Sequence, residues 1–319
     1  MTSPTPAHDP PIASASELGE RLGRARYLAD PPTALATFLA LRMKRPLLLE
    51  GPAGVGKTDL ARATAEALGR PMIRLQCYEG LDEAKALYEW DYAKQMLYTQ
   101  LLRDAIAREV SGATSIAEAA RIVSKSEATF FNRSFLIARP LLAALESPVP
   151  VVLLLDEVDR ADPEFEAFLL EVLSELQVTL PEIGTIKADP EEPPLIFLTT
   201  NGTREMTEAL RRRCLHAFLD YPAPSRELAI LKLTLPGIDE RLAARLTSFV
   251  AALRTLDLRK TPAISETIDW ARALMILGKS SLDRQLVVDT LGLLLKHQSD
   301  KGEVEQRLDK LLQRTEETS

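Results

Sequence analysis

Short apolar runs alternate with amphipathic segments from about Glu17 to Tyr221. The apolar runs have the length of buried strands and lie at 45–50, 72–76, 149–156 and 195–200. The segments between them place apolar side chains at helical spacing, at 57–70, 93–110, 115–124 and 163–176. Because strands alternate with helices, we predict an α/β fold with a parallel sheet that helices cover on both faces.

Two further patterns complete the predicted architecture. Residues 177–188 (QVTLPEIGTIKA) have the apolar alternation and the central turn of a β-hairpin. After 220–225 (DYPAPS) the strand signals stop, and residues 226–314 show helical periodicity alone. We therefore divide the chain into a disordered lead, an α/β core and a helical domain with a charged tail: 1–16, 17–224 and 225–319.

The charge balance argues against nucleic acid as a partner. The 319 residues include 39 Lys and Arg against 46 Asp and Glu, which gives a net charge of −7. Phosphate backbones and anionic membranes repel such a protein unless its basic residues cluster locally. The longest apolar run is too short to span a bilayer, and the first residues lack the apolar segment of a signal peptide. We expect a cytoplasmic protein without a membrane span.

The numbers and positions of the cysteines and histidines argue against a disulfide framework and a structural zinc site. Cys77 and Cys214 are the only cysteines, too few for a disulfide framework, so a reducing compartment is the simpler interpretation. The three histidines are scattered and form no zinc-ligand pattern with the cysteines. A structural zinc site is therefore not expected.

A predicted strand and a predicted helix enclose the sequence GPAGVGKT, which fits the nucleotide-binding pattern G-x-x-x-x-G-K-T. Glycines let the backbone N–H groups turn toward phosphate oxygens, and the helix N-terminus favours an anion. Lys57 would reach the β- and γ-phosphates of ATP, and the Thr58 hydroxyl would ligate Mg²⁺. The alternative is a glycine-rich turn with a chance lysine. The predicted nucleotide-binding residues are Gly51, Pro52, Ala53, Gly54, Val55, Gly56, Lys57 and Thr58.

Polar residues follow the other two long apolar runs. Asp156 and Glu157 end the first run, and Asn201 follows the second. In an open parallel sheet, ligands bind at the carboxyl ends of the strands. We expect Asp156 to hold Mg²⁺ through its water shell, Glu157 to polarise the attacking water, and Asn201 to orient that water. Helix capping by the acidic pair and a turn role for Asn201 are the alternatives.

Charged residues near these motifs are open to more than one interpretation. The run Arg211–Arg213 is either a solvated helix end that complements the helix dipole, or positive charge supplied to the phosphoryl group in a neighbouring subunit. Asp159 and Asp162 are interpreted as helix-start residues.

The order of these motifs resembles that of the AAA+ ATPases. More narrowly, the chain resembles the MoxR branch and its CoxD-like members, which mature carbon monoxide dehydrogenase. The resemblance covers about residues 20–275 and rests on 26–30 (RYLAD), the P-loop, 73–95 (IRLQCYEGLDEAKALYEWDYAKQ), 171–188 (EVLSELQVTLPEIGTIKA) and 210–214 (LRRRC). It implies a P-loop NTPase (AAA+) sheet followed by a small all-helical lid, in a ring that is usually hexameric, with ATP and Mg²⁺ at the subunit interfaces.

The resemblance also assigns individual residues. It places Arg212 and Arg213 in the arginine-finger region, which acts on the ATP of the adjacent subunit. It makes Tyr27, Leu28 and Ala29 candidates for the adenine pocket.

Two inserts and a set of partners follow from the same resemblance. Residues 77–135 correspond to a helical insert and 177–188 to a β-hairpin insert, the former on the substrate side of the ring. The implied function is a chaperone that helps a client metalloenzyme to mature, beside a partner with a von Willebrand factor A domain. A nucleic-acid motor of restriction-translocase type, or a nucleotide-gated switch, are the alternatives, and the acidic charge disfavours the motor.

Two stretches need separate interpretation. Many relatives carry an arginine that senses nucleotide from the lid, but here Glu266 stands near its place, and Arg272 is a candidate substitute. Tyr88, Trp90 and Tyr92 alternate with acidic residues, which predicts a strand or hairpin with one aromatic face. That face either packs on the sheet or contacts a client.

Overall fold

A computed structural model describes residues 12–111, 115, 118 and 131–317. Most of the helix predicted at 115–124, part of the 77–135 insert and residues 1–11 lie outside this described part. Ile12, which lies in the segment predicted as a disordered lead, is buried. The Ser14 hydroxyl then caps the first helix by accepting a hydrogen bond from the Glu17 N–H, at 3.1 Å.

The described strands are β1 (Leu47–Glu50), β2 (Met72–Gln76), β3 (Tyr88–Trp90), β4 (Leu136–Ala138), β5 (Val152–Asp156), β6 (Gln177–Leu180), β7 (Gly184–Lys187), β8 (Leu195–Thr200) and β9 (Leu215–Phe218). The described α-helices are α1 (Ala15–Arg24), α2 (Pro31–Met43), α3 (Lys57–Ala67), α4 (Glu83–Leu87), α5 (Tyr92–Val110), α6 (Pro140–Leu145), α7 (Pro163–Glu175), α8 (Glu208–Arg213), α9 (Pro224–Thr234), α10 (Glu240–Leu253), α11 (Ile264–Ile276), α12 (Arg284–Leu294) and α13 (Gln298–Glu317).

The central sheet is parallel, with the strand order β2-β5-β8-β1-β9. Every residue of β5 and β8 is buried, which explains why these strands are continuously apolar in sequence rather than alternating. Apolar clusters pack on both faces of the sheet, with α1 to α3 on one side and α4, α6 and α7 on the other. The predicted α/β fold is confirmed.

The edge strand β9 was not predicted. It pairs with β1 from Leu47↔Leu215 to Glu50↔Phe218. Its side chains are largely half-buried or exposed, so its sequence lacks the apolar run of a central strand.

Helices alone follow the sheet in the described residues after β9. They enclose a separate apolar core around Trp270 and Phe249, both fully buried. We call the part from α9 to α13 the helical domain. Within the described part of the chain, no helix combines the length and apolar character needed to cross a membrane.

The aromatic stretch forms a small antiparallel pair of strands rather than a continuation of the central sheet. Tyr88 and Trp90 lie on β3, which pairs with β4, and their rings meet edge to face with centroids 5.6 Å apart. The strand prediction is thus right for these two residues. It is wrong for Tyr92, which begins α5 behind the Asp91 cap and is 65% exposed. The predicted hairpin at 177–188 is present as β6 and β7.

Candidate active site

The P-loop connects β1 to α3 and packs closely against two other segments. A Cβ atom at Gly51 would lie 1.9 Å from the carbonyl oxygen of Leu219. Gly54 has a φ of +80°, and a Cβ atom there would lie 2.4 Å from the Ser265 hydroxyl. Only glycine fits either position, so the backbone itself forms the surface of this loop.

The first turn of α3 is available for an anion. Gly56 precedes the helix and provides no side-chain cap for its first N–H groups. These donors, together with the positive end of the helix dipole, favour a phosphate group. The P-loop therefore has both the backbone conformation and the field that a nucleotide phosphate requires.

Lys57 is buried beneath this loop. Its Nζ donates to the carbonyl oxygens of Gly51 at 2.6 Å and Pro52 at 2.7 Å, and to Oδ1 of Asn201 at 2.9 Å. Burial lowers the pKa of Lys57, whereas the nearby carboxylates, of which Asp159 acts most strongly, raise it. The ammonium group is thus fixed between the P-loop and the end of β8.

Asp156 lies at the end of β5 and accepts hydrogen bonds from side chains on two neighbouring strands and one helix. The Thr58 hydroxyl is 3.1 Å from its Oδ1 and 3.2 Å from its Oδ2, and the Thr199 hydroxyl donates to Oδ1 at 2.5 Å. The Arg74 guanidinium on β2 donates to Oδ2 at 2.5 Å. A hydroxyl and a carboxylate this close are the hard oxygen ligands that suit Mg²⁺. Mg²⁺ bound there would neutralise charge on the phosphates of ATP.

Glu157 follows Asp156 in a left-handed conformation, with φ of 57°. Its backbone N–H donates to the Thr199 hydroxyl at 2.8 Å. Its carboxylate accepts from Asn201 Nδ2 at 3.2 Å and from Gln76 Nε2 at 3.0 Å. Asn201 therefore bridges Lys57 and Glu157, so the structure brings together two of the predicted catalytic residues, Glu157 and Asn201.

Three polar residues of this site were missed in the sequence. Arg74 and Gln76 alternate along β2 and contact Asp156 and Glu157, respectively. Thr199 lies on β8, where it joins Asp156 to the backbone of Glu157. Arg74 and Gln76 could have been found from the sequence, because polar residues that alternate at the carboxyl end of a strand point to the same face of the sheet. The pairing of β2 with β5 places that face beside the acidic pair.

Asp159 lies in the first turn of a short 3-10 helix, Val158–Arg160, but the partners of its carboxylate lie elsewhere. Its Oδ2 accepts hydrogen bonds from Asn201 and Thr203, which follow β8. Asp162 does precede α7, as expected, but its side chain provides no cap and instead accepts from the Gly80 N–H at 3.0 Å.

The predicted adenine segment lies beside the P-loop. A Cβ atom at Gly56 would be 3.5 Å from Cε2 of Tyr27. The Leu28 carbonyl accepts from Arg226 at 2.8 Å, so α9 of the helical domain is tied to this segment. Ala29 is half-buried next to it. The side chains of this segment could therefore contact an aromatic ring, such as adenine, bound beside the P-loop.

The helical domain also contacts the P-loop through the start of α11. The Ser265 N–H donates to the Gly54 carbonyl at 3.3 Å, and the Ser265 hydroxyl donates to the Glu266 carboxylate at 2.8 Å. Lys260 lies 3.5 Å from the other oxygen of that carboxylate. Arg272 instead pairs with Asp269 at the exposed surface of α11.

Arg212 and Arg213 lie away from the P-loop of their own chain. Arg212 pairs with Glu208 at 2.9 Å and is exposed, while Arg213 donates to the Ser174 hydroxyl at the end of α7. The Arg45 guanidinium holds the Arg212 carbonyl at 2.9 Å, which places the end of α8 beside the amino end of β1. The P-loop follows the other end of that strand, about 13 Å away at 3.3 Å per residue.

Comparisons with known proteins agree with this geometry. The model of the AAA domain (dynein-related subfamily) matches residues 46–214. The gas vesicle ATPase GvpN of Ancylobacter aquaticus is 30% identical over 243 residues, which cover 73% of this chain and 61% of that protein. The chain thus spans less than two thirds of that relative. An uncharacterized protein of Staphylococcus saprophyticus is 26% identical over 242 residues, covering 75% of this chain and 78% of that protein.

Among solved structures, the RuvB Holliday junction branch migration motor of Thermotoga maritima has a TM-score of 0.45 and 14% identity, over 93% of this chain and 76% of that chain. The family assignment rests on the matched model, which extends from the residue before β1 to the residue after α8 and includes the P-loop, the acidic pair and Asn201. The chain therefore belongs to the dynein-related subfamily of AAA domain proteins, the AAA+ ATPases.

Proposed function

We propose that the protein is a Mg²⁺-dependent, cytoplasmic ATPase of the MoxR type that remodels a client protein. The observation that carries this proposal is the convergence of Lys57, Asp156, Glu157 and Asn201 at the carboxyl ends of β1, β5 and β8. A phosphate-binding loop, a cation ligand and a general base in one place are the parts that phosphoryl transfer to water requires.

Each residue has a separate role in the proposed reaction. Lys57 and the first N–H groups of α3 bind the phosphates of ATP. Glu157 accepts the proton of the attacking water, and Asn201 holds the Glu157 carboxylate and that water in position. Thr58 and Asp156 hold the cation.

We further propose that the active form is a ring, in which Arg212 and Arg213 act on the ATP of the adjacent subunit. Their position near the amino end of β1 supports this role, because the P-loop of the same chain lies at the opposite end of the strand. In other phosphoryl-transfer systems an arginine supplied in this way accelerates the reaction by about 10³–10⁵. A hexamer is the ring that the family resemblance favours.

Mixed rings test the shared site directly. Rings of Arg213→Ala subunits and rings of Lys57→Ala subunits should each be inactive. Mixing them should restore ATPase activity, because some interfaces then combine an intact P-loop with an intact arginine. Arg284→Ala, which removes an exposed arginine that pairs with Asp309, is the matched control and should leave activity unchanged. Absence of rescue at every mixing ratio would refute the shared site.

The client proposed here is a metalloenzyme of the kind matured by CoxD-like ATPases, and a von Willebrand factor A domain protein is the proposed partner in the remodelling. The support is the sequence resemblance over 73–95 and 171–188, which form β2 to α5 and the β6–β7 hairpin. A relative is a gas vesicle ATPase, so gas vesicle assembly is the second candidate for the process that the ATPase serves.

Affinity capture of a Glu157→Gln variant separates these candidates, because slowed hydrolysis should prolong the complex with the client. Recovery of a metalloenzyme supports the first candidate, and recovery of a gas vesicle protein supports the second. ATPase activity that DNA stimulates, without a response to any captured protein, would overturn both. The net charge of −7 makes that last result unexpected.

A further inference from the structure

We propose that Asp159 is a positioning residue for ATP hydrolysis, which holds the loop 201–203 so that Asn201 bridges Lys57 and Glu157. This inference rests on the proposed function of the site. It concerns a residue outside the P-loop, the acidic pair and the arginines.

One carboxylate oxygen of Asp159 accepts three hydrogen bonds from the loop 201–203. Its Oδ2 accepts from the Asn201 N–H at 3.2 Å, from the Thr203 N–H at 3.0 Å and from the Thr203 hydroxyl at 2.6 Å. Asp159 follows β5 in a short 3-10 turn, Val158–Arg160, whereas the loop follows β8. The carboxylate thus links the ends of two neighbouring strands, both of which carry catalytic residues.

Burial makes this carboxylate costly unless its hydrogen bonds are kept. Asp159 is 4% exposed, and an ionised group so placed loses most of its hydration. Burial alone would raise the pKa of Asp159, but the bonds from Thr203 and Asn201 outweigh it, and the net pKa is lowered. The group is therefore ionised at neutral pH, and its negative charge raises the pKa of Lys57.

Arg204, which follows the loop, donates to the Ala161 carbonyl at 2.6 Å and pairs with the buried Glu166, so these bonds hold the segment after the loop rather than the Asn201 side chain. The Asn201 Oδ1 accepts from Lys57 Nζ at 2.9 Å, whereas its Nδ2 donates to Glu157 Oε1 at 3.2 Å, the upper end of the usual range. The Gly202 N–H bonds to the Thr200 hydroxyl at 3.0 Å, which shapes the turn but does not tie it to β5. Without Asp159 the Asn201 backbone would lose its bond to the segment after β5, so the Asn201 side chain could shift, and a displacement of about 1 Å near a reacting group costs about 10²-fold in rate.

Four variants and a control test the role: Asp159→Ala, Asp159→Asn, Asn201→Ala, the double variant Asp159→Ala/Asn201→Ala, and Glu164→Ala, which removes an exposed carboxylate at the start of α7. Asp159→Ala should lower kcat about 10- to 100-fold, with the Kd for nucleotide changed less than about twofold. Asp159→Asn keeps an acceptor oxygen and should recover most of kcat. Glu164→Ala should match the wild type.

The double variant distinguishes positioning from a separate structural effect. If Asp159 acts through Asn201, the double variant should be no slower than Asn201→Ala alone. Multiplied losses in the double variant would overturn the proposal. So would an Asp159→Asn variant as slow as Asp159→Ala, or equal loss of nucleotide affinity in both.

Thr203→Val provides a test that leaves the buried carboxylate in place. Thr203 is exposed, and its hydroxyl supplies one of the three bonds to Asp159, so kcat should fall about threefold to fivefold without loss of folding. An unchanged kcat would count against the proposal. If Glu157→Gln slows turnover while Asp159 and Thr203 variants do not, this inference fails but the proposed function stands.

Discussion

Removing the Glu227 carboxylate is expected to destabilise the helical domain where it meets the P-loop. Glu227 lies on α9 and is fully buried. It accepts two hydrogen bonds from Arg254, at 2.6 and 2.9 Å, and one from the Thr267 hydroxyl at 2.7 Å. Arg254 also donates to the Pro262 carbonyl at 2.9 Å. The bidentate pair thus joins α9, α10 and the segment that leads into α11.

The magnitude follows from the charge that would be left behind. Breaking a buried ion pair by removing one partner costs about 3–5 kcal/mol, because the other charge stays buried without compensation. Arg254 would keep its bond to Pro262 and its contact with the Tyr221 ring, whose centroid lies 5.1 Å away. We therefore expect Glu227→Ala to lower the free energy of unfolding by about 3 kcal/mol, the lower end of that range.

Urea denaturation can report on this domain alone. Trp270 is fully buried in it, and Trp90, the other tryptophan, lies on β3. In a Trp90→Phe background, Trp270 fluorescence should show an unfolding midpoint lowered by at least about 1 M urea, for an m-value of about 1–3 kcal/mol/M. The nucleotide affinity should fall as well, because Ser265 contacts Gly54 from this segment.

Asp269→Ala is the matched control, since it breaks an ion pair with Arg272 on an exposed surface. Such a pair contributes about 0–1 kcal/mol. If Glu227→Ala costs no more than this control, the buried pair does not stabilise the domain and the reasoning is refuted. A double variant, Glu227→Ala with Arg254→Met, should be more stable than Glu227→Ala, because it removes the uncompensated charge.

Two further predictions concern residues on or beside the sheet. Arg74→Ala removes a half-exposed cation that pairs with the Asp156 carboxylate, an interaction of about 1 kcal/mol or less. The Mg²⁺ concentration for half-maximal ATPase activity should therefore fall by up to about fivefold. An increased Mg²⁺ requirement, or no change relative to the control Arg62→Ala, would contradict this prediction. Burial raises the pKa of the Cys77 and Cys214 thiols to about 12, so the native protein should resist iodoacetamide at about pH 8. The denatured protein should take up two labels, which mass spectrometry would count. Rapid labelling of the native protein would contradict the burial of these thiols.

The parts of the site that the sequence predicted are those with local signals. The P-loop is a contiguous motif, and β5 and β8 are apolar runs that end in polar residues, so Lys57, Asp156 and Asn201 could be placed at the same edge of the sheet. The strand β9 could not be recognised, because an edge strand is half-exposed and lacks a long apolar run.

Asp159 shows why the other contacts of the site could not be predicted from the sequence. An aspartate near the start of a helix is interpreted from its local position, and that short-range rule does not find the long-range partners of its carboxylate. Its actual partners lie 42 and 44 residues further along the chain, and only the strand order β5-β8 brings them together. Arg74 and Gln76 are similar, because their contacts with Asp156 and Glu157 depend on the pairing of β2 with β5.

The central claim is that Glu157 is the base of an ATP-hydrolysing site, and the turnover of Glu157→Gln tests it most directly. The substitution removes the carboxylate charge but keeps the shape of the side chain. We predict that kcat falls by about 10²-fold or more while ATP still binds with an affinity close to that of the wild type. Glu164→Gln, on the exposed start of α7, should turn over ATP at the wild-type rate. A Glu157→Gln variant that hydrolyses ATP as fast as the wild type would contradict the account.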